Sequence, residues 1–501
     1  MTMKLPESYY NRTSYVGTII TAISLLLILF IYILTSFFMD GGTYIGLLLY
    51  MLFPGLLILG LVLIPIGMLM RVRKIKQGKS EITPTHMVID MNNPKHRNAA
   101  IIFVVGTILF LILTSIGSYE AFHYTESNRF CGGLCHQVME PEYSTYQTSA
   151  HAHVKCVECH VGPGADWYVK SKMSGLYQVY AVLFDKYPKP IPTPITSLRP
   201  ARETCEQCHW PEKFYPNRIR NEIHYLADSL NTQWNISYLM KIGPSHGSQG
   251  NSEGIHWHIN RNIKIEYIES TPDREYIGWV KYINLETGDT TVYNDIEDPM
   301  DEETINTSSP RTMDCMDCHN RPSHQFLTPQ DYIDNAISKG DISSDIPEIK
   351  KIAMELFTDS YDNYDTARAI IANAINESCR NNYPEFFAHQ QQLIKHSIQG
   401  IIDAYTANNF PKMGSSWDTY PNHLGHVEYN GCFRCHDGNH KAENGKLIRR
   451  DCNLCHTILQ QGLNENLVSV PFDDSLDFIH PVDIEEEWKT SICTDCHRYL
   501  Y

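Results

Sequence analysis

Apolar residues are concentrated in three segments near the N-terminus, at 16–38, 44–70 and 99–117. The first two are long enough to cross a bilayer as helices, and the third is at the short end of that range. Pro54 and Pro65 should bend or locally break the second helix, which a membrane protein can tolerate. A signal peptide is the alternative for the first segment. Its apolar run is too long for one and no small-x-small cleavage site follows, so an uncleaved anchor is preferred.

Basic residues predict the orientation of these segments. The turn at 39–43 has no basic residue, whereas 71–98 contains Arg71, Arg73, Lys74, Lys76, Lys79, Lys95 and Arg97. Because loops rich in Lys and Arg stay in the cytoplasm, 71–98 and the N-terminus are predicted to be cytoplasmic. Three crossings then deliver residue 118 to the opposite side of the membrane.

The middle of the chain has the alternation typical of strands. Apolar and polar positions alternate through 263–267, and 276–283 leads through Glu-Thr-Gly-Asp to 290–293. This pattern predicts a small antiparallel insert with a hairpin. His256 and His258 would share one face of a strand, because side chains in a strand repeat every two residues.

Two further segments have recognisable patterns. Residues 329–408 have apolar positions at helical spacing, with Thr328 as a predicted N-cap and Pro329 in the first turn. Five prolines between positions 188 and 200 predict an extended, rigid segment.

The cysteines indicate the chemistry of the chain. Fourteen of the fifteen form seven pairs, and each pair is followed directly by His. The seven motifs are Cys131/Cys135/His136, Cys156/Cys159/His160, Cys205/Cys208/His209, Cys315/Cys318/His319, Cys432/Cys435/His436, Cys452/Cys455/His456 and Cys493/Cys496/His497. C-x-x-C-H is the signature of covalent c-type haem, in which two thiols bond the haem vinyl groups and the His binds iron. The sequence therefore predicts seven covalently bound haems.

The first of these motifs, at 131–136, has one extra residue between its cysteines. Zinc sites also use C-x-x-C pairs, but zinc does not require a His directly after each pair. Cys379 is the remaining cysteine, and we expect it to be a buried thiol. Covalent haem attachment occurs outside the bacterial cytoplasm, so the chain from about 119 onward is predicted to be extracytoplasmic, in agreement with the charge argument.

Net charge limits the choice of partners. The chain carries −16 at pH 7, although residues 1–118 contain nine Lys and Arg against four Asp and Glu. The part that follows is therefore strongly acidic. An acidic surface disfavours nucleic acid and would steer a basic redox partner, although simple solubility explains it equally well.

The predicted architecture combines these observations. Three transmembrane helices precede an extracytoplasmic multihaem domain that is mainly α, with a haem-packed core and a small antiparallel β insert. Three motifs lie within 119–210 and three more within 432–497, which leaves little room for an ordinary apolar core. The predicted segments are the anchor 1–118, haems 1–3 at 119–210, the insert 211–310, haem 4 at 311–328, helices at 329–411 and haems 5–7 at 412–501.

From Phe130 to Arg321 the chain resembles the NapC/NirT/NrfH family of membrane-anchored tetrahaem quinol dehydrogenases. The resemblance rests on FCGGLCHQVMEPEY, SAHAHVKCVECHVGPG, RPARETCEQCHWP and CMDCHNRPSH. With GCFRCHDGNH and the three N-terminal helices it extends over most of the chain and is closest to the ImcH-type heptahaem inner-membrane cytochromes. A protein of this kind is expected in the bacterial inner membrane.

The family pattern implies specific iron ligands. A Met shortly after the first motif binds the first haem iron in that family. Met139 is therefore preferred here, but it stands three positions after His136 and not two, which leaves His136 as the alternative. In the family a His nine residues before the second motif's His binds haem 3, which implies His151 here. A His five residues after the fourth motif's His binds haem 2, which implies His324. For the other four haems the remaining candidates are His426, His440 and His480, with His256 or His258.

A quinol releases two electrons and two protons, so its site needs a haem edge near the bilayer and a proton acceptor. The family pattern places a Lys twelve residues after the second motif's His, and Lys172 matches it; Lys170 and Asp166 are further candidates, beside Met139 at the first haem. The predicted function is menaquinol dehydrogenase, with electrons passed to periplasmic c-type cytochromes and extracellular acceptors as one destination. A terminal reductase and a non-enzymatic electron conduit or anchor subunit are the alternatives, and the sequence leaves the oligomeric state open.

Overall fold

A computed structural model of the chain describes residues 6–37, 52–77, 90–193, 199–210, 217–243, 254–357 and 360–498, together with positions 48 and 214. Its compact units divide the chain after His136, later than the predicted anchor boundary at 118. The first unit is Met1–His136 with Lys155–Val157, and the second is Gln137–Val154 with Glu158–Tyr501.

Three N-terminal helices are long and apolar enough to cross a membrane, which confirms the prediction. They are α1 (Arg12–Phe37), α2 (Phe53–Lys76) and α3 (Pro94–Thr125). Helix α3 is longer than the predicted segment 99–117, because Asn93 caps its first turn by accepting from the Lys95 amide. The predicted start of the second helix, at 44–47 and 49–51, lies outside the described residues.

Small residues bring α1 and α2 together. A Cβ on Gly17 would lie 2.6 Å from the Gly60 carbonyl oxygen, so only glycine fits at this crossing. The Ser14 hydroxyl donates to the Ile64 carbonyl across the same contact, at 3.0 Å. Close backbone approach and such hydrogen bonds are the usual means of helix association in lipid. Helix α2 is continuous through Pro65 and has Pro54 in its first turn, so neither proline breaks it, and a bend at Pro65 stays a prediction.

Five helices carry or separate the first three motifs. They are α4 (Asn128–Gly133), α5 (His136–Thr148), α6 (Cys156–His160), α7 (Ala165–Leu183) and α8 (Ala201–Cys205). The nineteen-residue α7 lies between the second motif and the third. In the predicted rigid segment 188–200, positions 194–198 lie outside the described residues.

The insert contributes strands to two antiparallel sheets. The first sheet has the order β1 (Arg218–Tyr225), β2 (Gln233–Met240), β8 (His456–Leu463), β9 (Val468–Ser469). The second has the order β6 (Arg311–Thr312), β3 (Ile263–Glu269), β4 (Ile277–Asn284), β5 (Thr290–Asp295), β7 (His440–Ala442). The insert is antiparallel as predicted but is not self-contained, because strands from the C-terminal haem segment complete both sheets.

The predicted alternation and hairpin are present in the second sheet. Ile263, Ile265 and Tyr267 face a buried cluster. Strands β4 and β5 pair with Val280 opposite Tyr293, and the connecting turn places Gly288 at a φ of +75°, a conformation that favours glycine.

A separate helical layer follows the fourth motif. It consists of α10 (Pro329–Lys339), α11 (Ile349–Phe357), α12 (Tyr364–Asn382), α13 (Pro384–His389) and α14 (Gln391–Asn408). The Thr328 hydroxyl accepts from the Asp331 amide and Pro329 starts α10, as the sequence predicted. Isoleucines dominate its core, which also buries Cys379. A buried ion pair, Lys350 with Asp334, joins α11 to α10.

Two short helices complete the described fold. Helix α9 (Glu302–Thr307) begins at the Asp301 N-cap, and α15 (Cys493–His497) carries the last motif. His256 and His258 lie on a 3₁₀ helix, Ile255–Ile259, and not on the expected strand. Alternation was weak evidence for a strand in so short a segment.

Candidate haem-binding sites

Six of the seven motif histidines lie opposite a second imidazole. The ring-centroid distances are His151–His209 6.1 Å, His160–His324 6.2 Å, His256–His319 6.5 Å, His258–His436 5.9 Å, His426–His456 6.2 Å and His480–His497 6.0 Å. Two imidazoles that bind one metal ion from opposite sides have centroids about 6 Å apart, because each metal–nitrogen bond is about 2 Å long. Each pair is therefore positioned as the two axial ligands of one haem would be.

Backbone carbonyls orient most of the second imidazoles. The Nδ1 atoms of five of them lie next to carbonyl oxygens: His151 at Pro322 (3.2 Å), His324 at Glu142 (2.8 Å), His256 at Ile242 (3.1 Å), His258 at Ile255 (2.8 Å) and His480 at Val482 (2.7 Å). A proton on Nδ1 that donates to a carbonyl leaves the Nε2 lone pair for the metal. In the sixth pair His426 Nδ1 has no hydrogen-bond partner among the described residues.

Burial favours the neutral form of nine of these rings, and the neutral form is the one that binds a metal ion. Burial lowers the pKa of His258 and that of His456 to about 4. Burial also lowers the pKa of seven others: His160, His256, His319, His324, His426, His436 and His497.

His440 does not fit the ligand role that the sequence suggested. It is fully buried, its Nδ1 lies 3.0 Å from an Asp437 carboxylate oxygen, and its Nε2 lies 2.7 Å from the Ile277 carbonyl oxygen. Burial alone would lower its pKa, but the hydrogen bond and charge of Asp437 raise the pKa of His440 above its ordinary value. Both ring nitrogens are thus engaged by protein, and His440 stabilises the end of strand β7.

The structure uses both His256 and His258, where the sequence analysis chose one of them. In a 3₁₀ helix residues two positions apart point about 120° away from each other. His256 therefore faces His319 of the fourth motif, whereas His258 faces His436 of the fifth. This short helix connects the haem segment that resembles the tetrahaem family to the C-terminal haem segment.

Motifs that are neighbours in the sequence are also neighbours in space, because their cysteines interact. In the first compact unit the Cys131 thiol donates to Cys156, and in the second the Cys205 thiol donates to Cys315. The charge of one thiol raises the pKa of the other in four further pairs, which are Cys205 with Cys159, Cys435 with Cys318, Cys432 with Cys455, and Cys493 with Cys452. Each motif therefore lies beside the next one along the chain.

The second cysteines of the third and seventh motifs lie just after or within a five-residue helix. Cys208 and Cys496 both have exposed side chains. Cys208 follows the end of α8, where its amide donates to the Cys205 carbonyl at 3.1 Å, and Cys496 lies in the five-residue helix α15. Because a haem vinyl group must reach the thiol that it bonds, both cysteines stay predicted attachment sites.

Exposure is shared by some of the other haem-attaching cysteines. Five of the fourteen are exposed, namely Cys159, Cys208, Cys432, Cys452 and Cys496. Three of these five, Cys159, Cys432 and Cys452, belong to the pairs described above in which the charge of one thiol raises the pKa of another.

The first motif differs from the other six. In the part of the chain that the structure describes, no second imidazole faces His136, which is the first residue of α5. Met139 is the fourth residue of the same helix and is half-buried. Met139 and His136 thus both remain candidates for the iron.

The predicted quinol-site residues lie on one helix. Asp166 is in the first turn of α7, and Lys170 and Lys172 follow it. The Lys170 ammonium lies 4.5 Å from the centre of the Trp167 ring, and that of Lys172 lies 4.9 Å from the Tyr168 ring.

Sequence reasoning missed the residues that hold His324. The Arg321 Nη2 donates to both carboxylate oxygens of Glu142 at 3.1 Å, and its Nε donates to the His324 carbonyl at 2.6 Å. Its guanidinium also stacks on Phe326 and Tyr420. This ion pair, together with the Nε hydrogen bond, fixes the segment that carries His324. An Arg three residues before a predicted ligand was the only signal in the sequence.

A second missed feature lies inside two motifs. Asp317, between the cysteines of the fourth motif, accepts from the Tyr267 hydroxyl at 2.7 Å and from the Arg311 Nε at 2.6 Å. Arg434, between the cysteines of the fifth motif, donates to the Asp317 carbonyl and lies 3.2 Å from His423 Nδ1. These buried charges lock the two motifs together. A charged residue between paired cysteines could have indicated them.

Comparison with known proteins gives relatives for this chain. The family model described as NapC/NirT cytochrome c family, N-terminal region, matches residues 93–190. The cytochrome c-type protein ImcH of Geobacter sulfurreducens is 43% identical over 503 residues, which is 99% of this chain and 97% of ImcH. The cytochrome c-type protein NrfH of Wolinella succinogenes is 25% identical over 192 residues, which is 37% of this chain and 95% of NrfH. No solved structure is significantly similar to it.

Proposed function

Since the chain belongs to the NapC/NirT family of membrane-anchored multihaem c-type cytochromes, we propose that it is a menaquinol dehydrogenase carrying seven haems. In this proposal the inner membrane holds the three N-terminal helices, the N-terminus is cytoplasmic, and the haem domain is periplasmic. Electrons leave toward periplasmic c-type cytochromes. ImcH and NrfH are both named as c-type cytochromes, and the quinol substrate is part of the proposal, not of those names.

The order of the motifs is the observation that carries the proposal. Six motif histidines each have a second imidazole about 6 Å away. Interactions between motif cysteines, seen in their effect on thiol pKa values, connect each motif to the next. Haems bound there would supply one-electron redox chemistry. The chain contributes ligands, burial and spacing. The first motif, which differs from the other six, follows shortly after α3, the last apolar helix.

The chain must also handle the two protons of a quinol. We assign Asp166 as a proton acceptor, because its carboxylate lies in the first turn of α7, the helix that also carries Lys170 and Lys172. The ammonium group of Lys172, with Lys170 as the alternative, would donate a hydrogen bond to a quinol oxygen. Met139, or His136 in its place, would hold the iron of the site that first receives an electron.

Stopped-flow reduction by a menaquinol analogue tests the assignment in membranes that contain the full-length protein. We expect haem reduction that a quinone-site inhibitor blocks and that Lys172→Met slows. Lys189→Met is the matched control, because Lys189 pairs with Asp185 outside α7. Protein that menaquinol cannot reduce, but that a partner protein reduces, would make it an electron conduit instead.

A terminal reductase needs a haem with an open position in a substrate pocket away from the membrane. In the described residues six of the seven motif histidines already face a second imidazole, which leaves no such position at those six sites. The dehydrogenase is therefore the better supported function.

A further inference from the structure

Helix α7 has its apolar residues on the outside. Seven large apolar side chains of this helix and its C-cap are 50–74% exposed. They are Val169, Met173, Leu176, Tyr177, Tyr180, Leu183 and Phe184. A helix on the surface of a soluble domain normally shows the opposite arrangement, with polar residues outward.

These seven residues form one continuous face. Their spacing from Val169 is 4, 7, 8, 11, 14 and 15 positions, which is the repeat of a single helix side. At 1.5 Å per residue the face is about 22 Å long. Ala181 is buried and Ser171 and Gly175 are partly covered, so another side of the helix contacts the protein.

Positive charge borders this face on both sides. At 100° per residue, Lys172 lies just beyond one edge of the apolar face and Lys170 lies just beyond the other. Tyr177 and Tyr180, within the face, are residues enriched at the boundary between membrane and water. Apolar and aromatic residues flanked by lysines are the composition of a helix that binds an anionic lipid surface.

The bilayer is the occupant that the rest of the chain favours. Three helices of the same chain are apolar and long enough to cross a membrane, so a lipid surface is always close to the protein. Helix α7 has nineteen residues but is not among those three, so by composition it is suited to lie on the membrane and not to cross it.

We propose that α7 lies in the plane of the membrane interface, with its apolar face in the periplasmic leaflet and Lys170 and Lys172 at the level of anionic headgroups. If the proposed quinol dehydrogenase function holds, on which this further step rests, α7 also delivers Lys172 and Asp166 to the depth at which a lipid-dissolved quinol exposes its ring oxygens. The helix would then be the platform of the quinol site.

Oxidative footprinting tests the membrane contact without any turnover. The full-length protein is placed, one copy each, in nanodiscs of phosphatidylethanolamine and phosphatidylglycerol. Tyr180 and Tyr276 are each 50% exposed, and Tyr276 is in the β region of the insert. We expect Tyr180 to be oxidised roughly tenfold more slowly than Tyr276, because lipid excludes the oxidant. Equal rates would overturn the proposal.

A matched pair of variants separates lipid from haem as the cover of this face. Leu176 is 54% exposed and Leu285, in the hairpin, is 55% exposed. Leu176→Glu should keep the wild-type haem content, lose most of the protection of Tyr180, and raise the KM for a menaquinol analogue, whereas Leu285→Glu should do none of these. Loss of haem in Leu176→Glu alone would mean that the face covers a haem, which overturns the membrane assignment.

The two arms also separate this inference from the proposed function. If menaquinol does not reduce the wild-type protein, the dehydrogenase proposal fails, while protection of Tyr180 in nanodiscs still supports an interfacial helix. If menaquinol reduces the protein and Tyr180 is unprotected, the function stands and the interfacial helix is wrong.

Discussion

Glu142 provides a test of how the chain sets the properties of its second haem site. Its carboxylate lies 3.3 Å from His324 Nδ1, and its backbone carbonyl accepts from the same nitrogen at 2.8 Å. Glu142→Gln removes the negative charge but keeps the backbone carbonyl and a side-chain oxygen for Arg321. The substitution therefore isolates the charge from the position of the ligand.

The distance from the Glu142 carboxylate to the iron gives the expected change in the reduction potential of haem 2. The imidazole ring and a metal–nitrogen bond of about 2 Å place an iron held by His324 about 7 Å from this carboxylate. At an effective dielectric constant of about 20, unit charges at about 7 Å interact by about 2.4 kcal/mol. For one electron this is about 100 mV. Because a nearby anion stabilises the oxidised state, Glu142→Gln should raise the potential of haem 2 by up to that amount.

The assay is a spectroelectrochemical titration of the purified full-length protein. We expect about one seventh of the absorbance change to shift to a higher potential, since only one of the proposed seven haems is affected. Glu377→Gln, which removes an exposed carboxylate from α12, should leave the curve unchanged. A Glu142→Gln curve that overlays the wild type, with haem content intact, would refute the reasoning.

Three other predictions follow from buried groups. His258→Ala should convert one haem to a high-spin spectrum, whereas His440→Ala should leave the spectrum unchanged and lower the free energy of unfolding by about 1–3 kcal/mol. Lys350→Met leaves a buried carboxylate unpaired and should cost about 3–5 kcal/mol in denaturant unfolding, against under about 1 kcal/mol for the exposed Lys351→Met. Burial lowers the pKa of His423 to about 4, against about 6.5 when unfolded, so below pH 6.5 the unfolded chain binds the extra proton. Stability should fall by at most about 1.4 kcal/mol per unit from pH 6.5 to 4, and His423→Gln should remove that part of the decline.

Local sequence determined the features that need only neighbouring residues. A c-type haem motif is complete within five or six positions, so all seven motifs could be identified without a fold. The three apolar helices and the Thr328 cap are also local, because hydropathy and capping act within a few turns. The spacing of His151 and His324 from the motifs, compared with the family pattern, predicts both as ligands, and both lie opposite the expected motif histidines.

How deeply each motif is buried was not a local property. The motifs of Cys208 and Cys435 have the same spacing, yet the Cys208 side chain is exposed and that of Cys435 is partly covered. Cys435 packs against the buried cluster of the second sheet, whose strands come from the insert. The sequence could not show which motifs would receive such cover, because the covering residues lie far away in the chain.

Tertiary structure alone decided which of the remaining histidines face a haem motif. His256, His258 and His440 are all buried or half-buried imidazoles, and nothing in their own sequence separates them. Their roles differ because their ring nitrogens have different partners. In His256 and in His258, Nδ1 lies next to a backbone carbonyl and a motif histidine faces the ring. In His440, Nδ1 lies next to a carboxylate and Nε2 lies next to a carbonyl. The motif histidines opposite His256 and His258, and the carbonyl that holds His440 Nε2, come from distant parts of the chain. Sequence could therefore count the haem sites, but only long-range packing could assign their ligands.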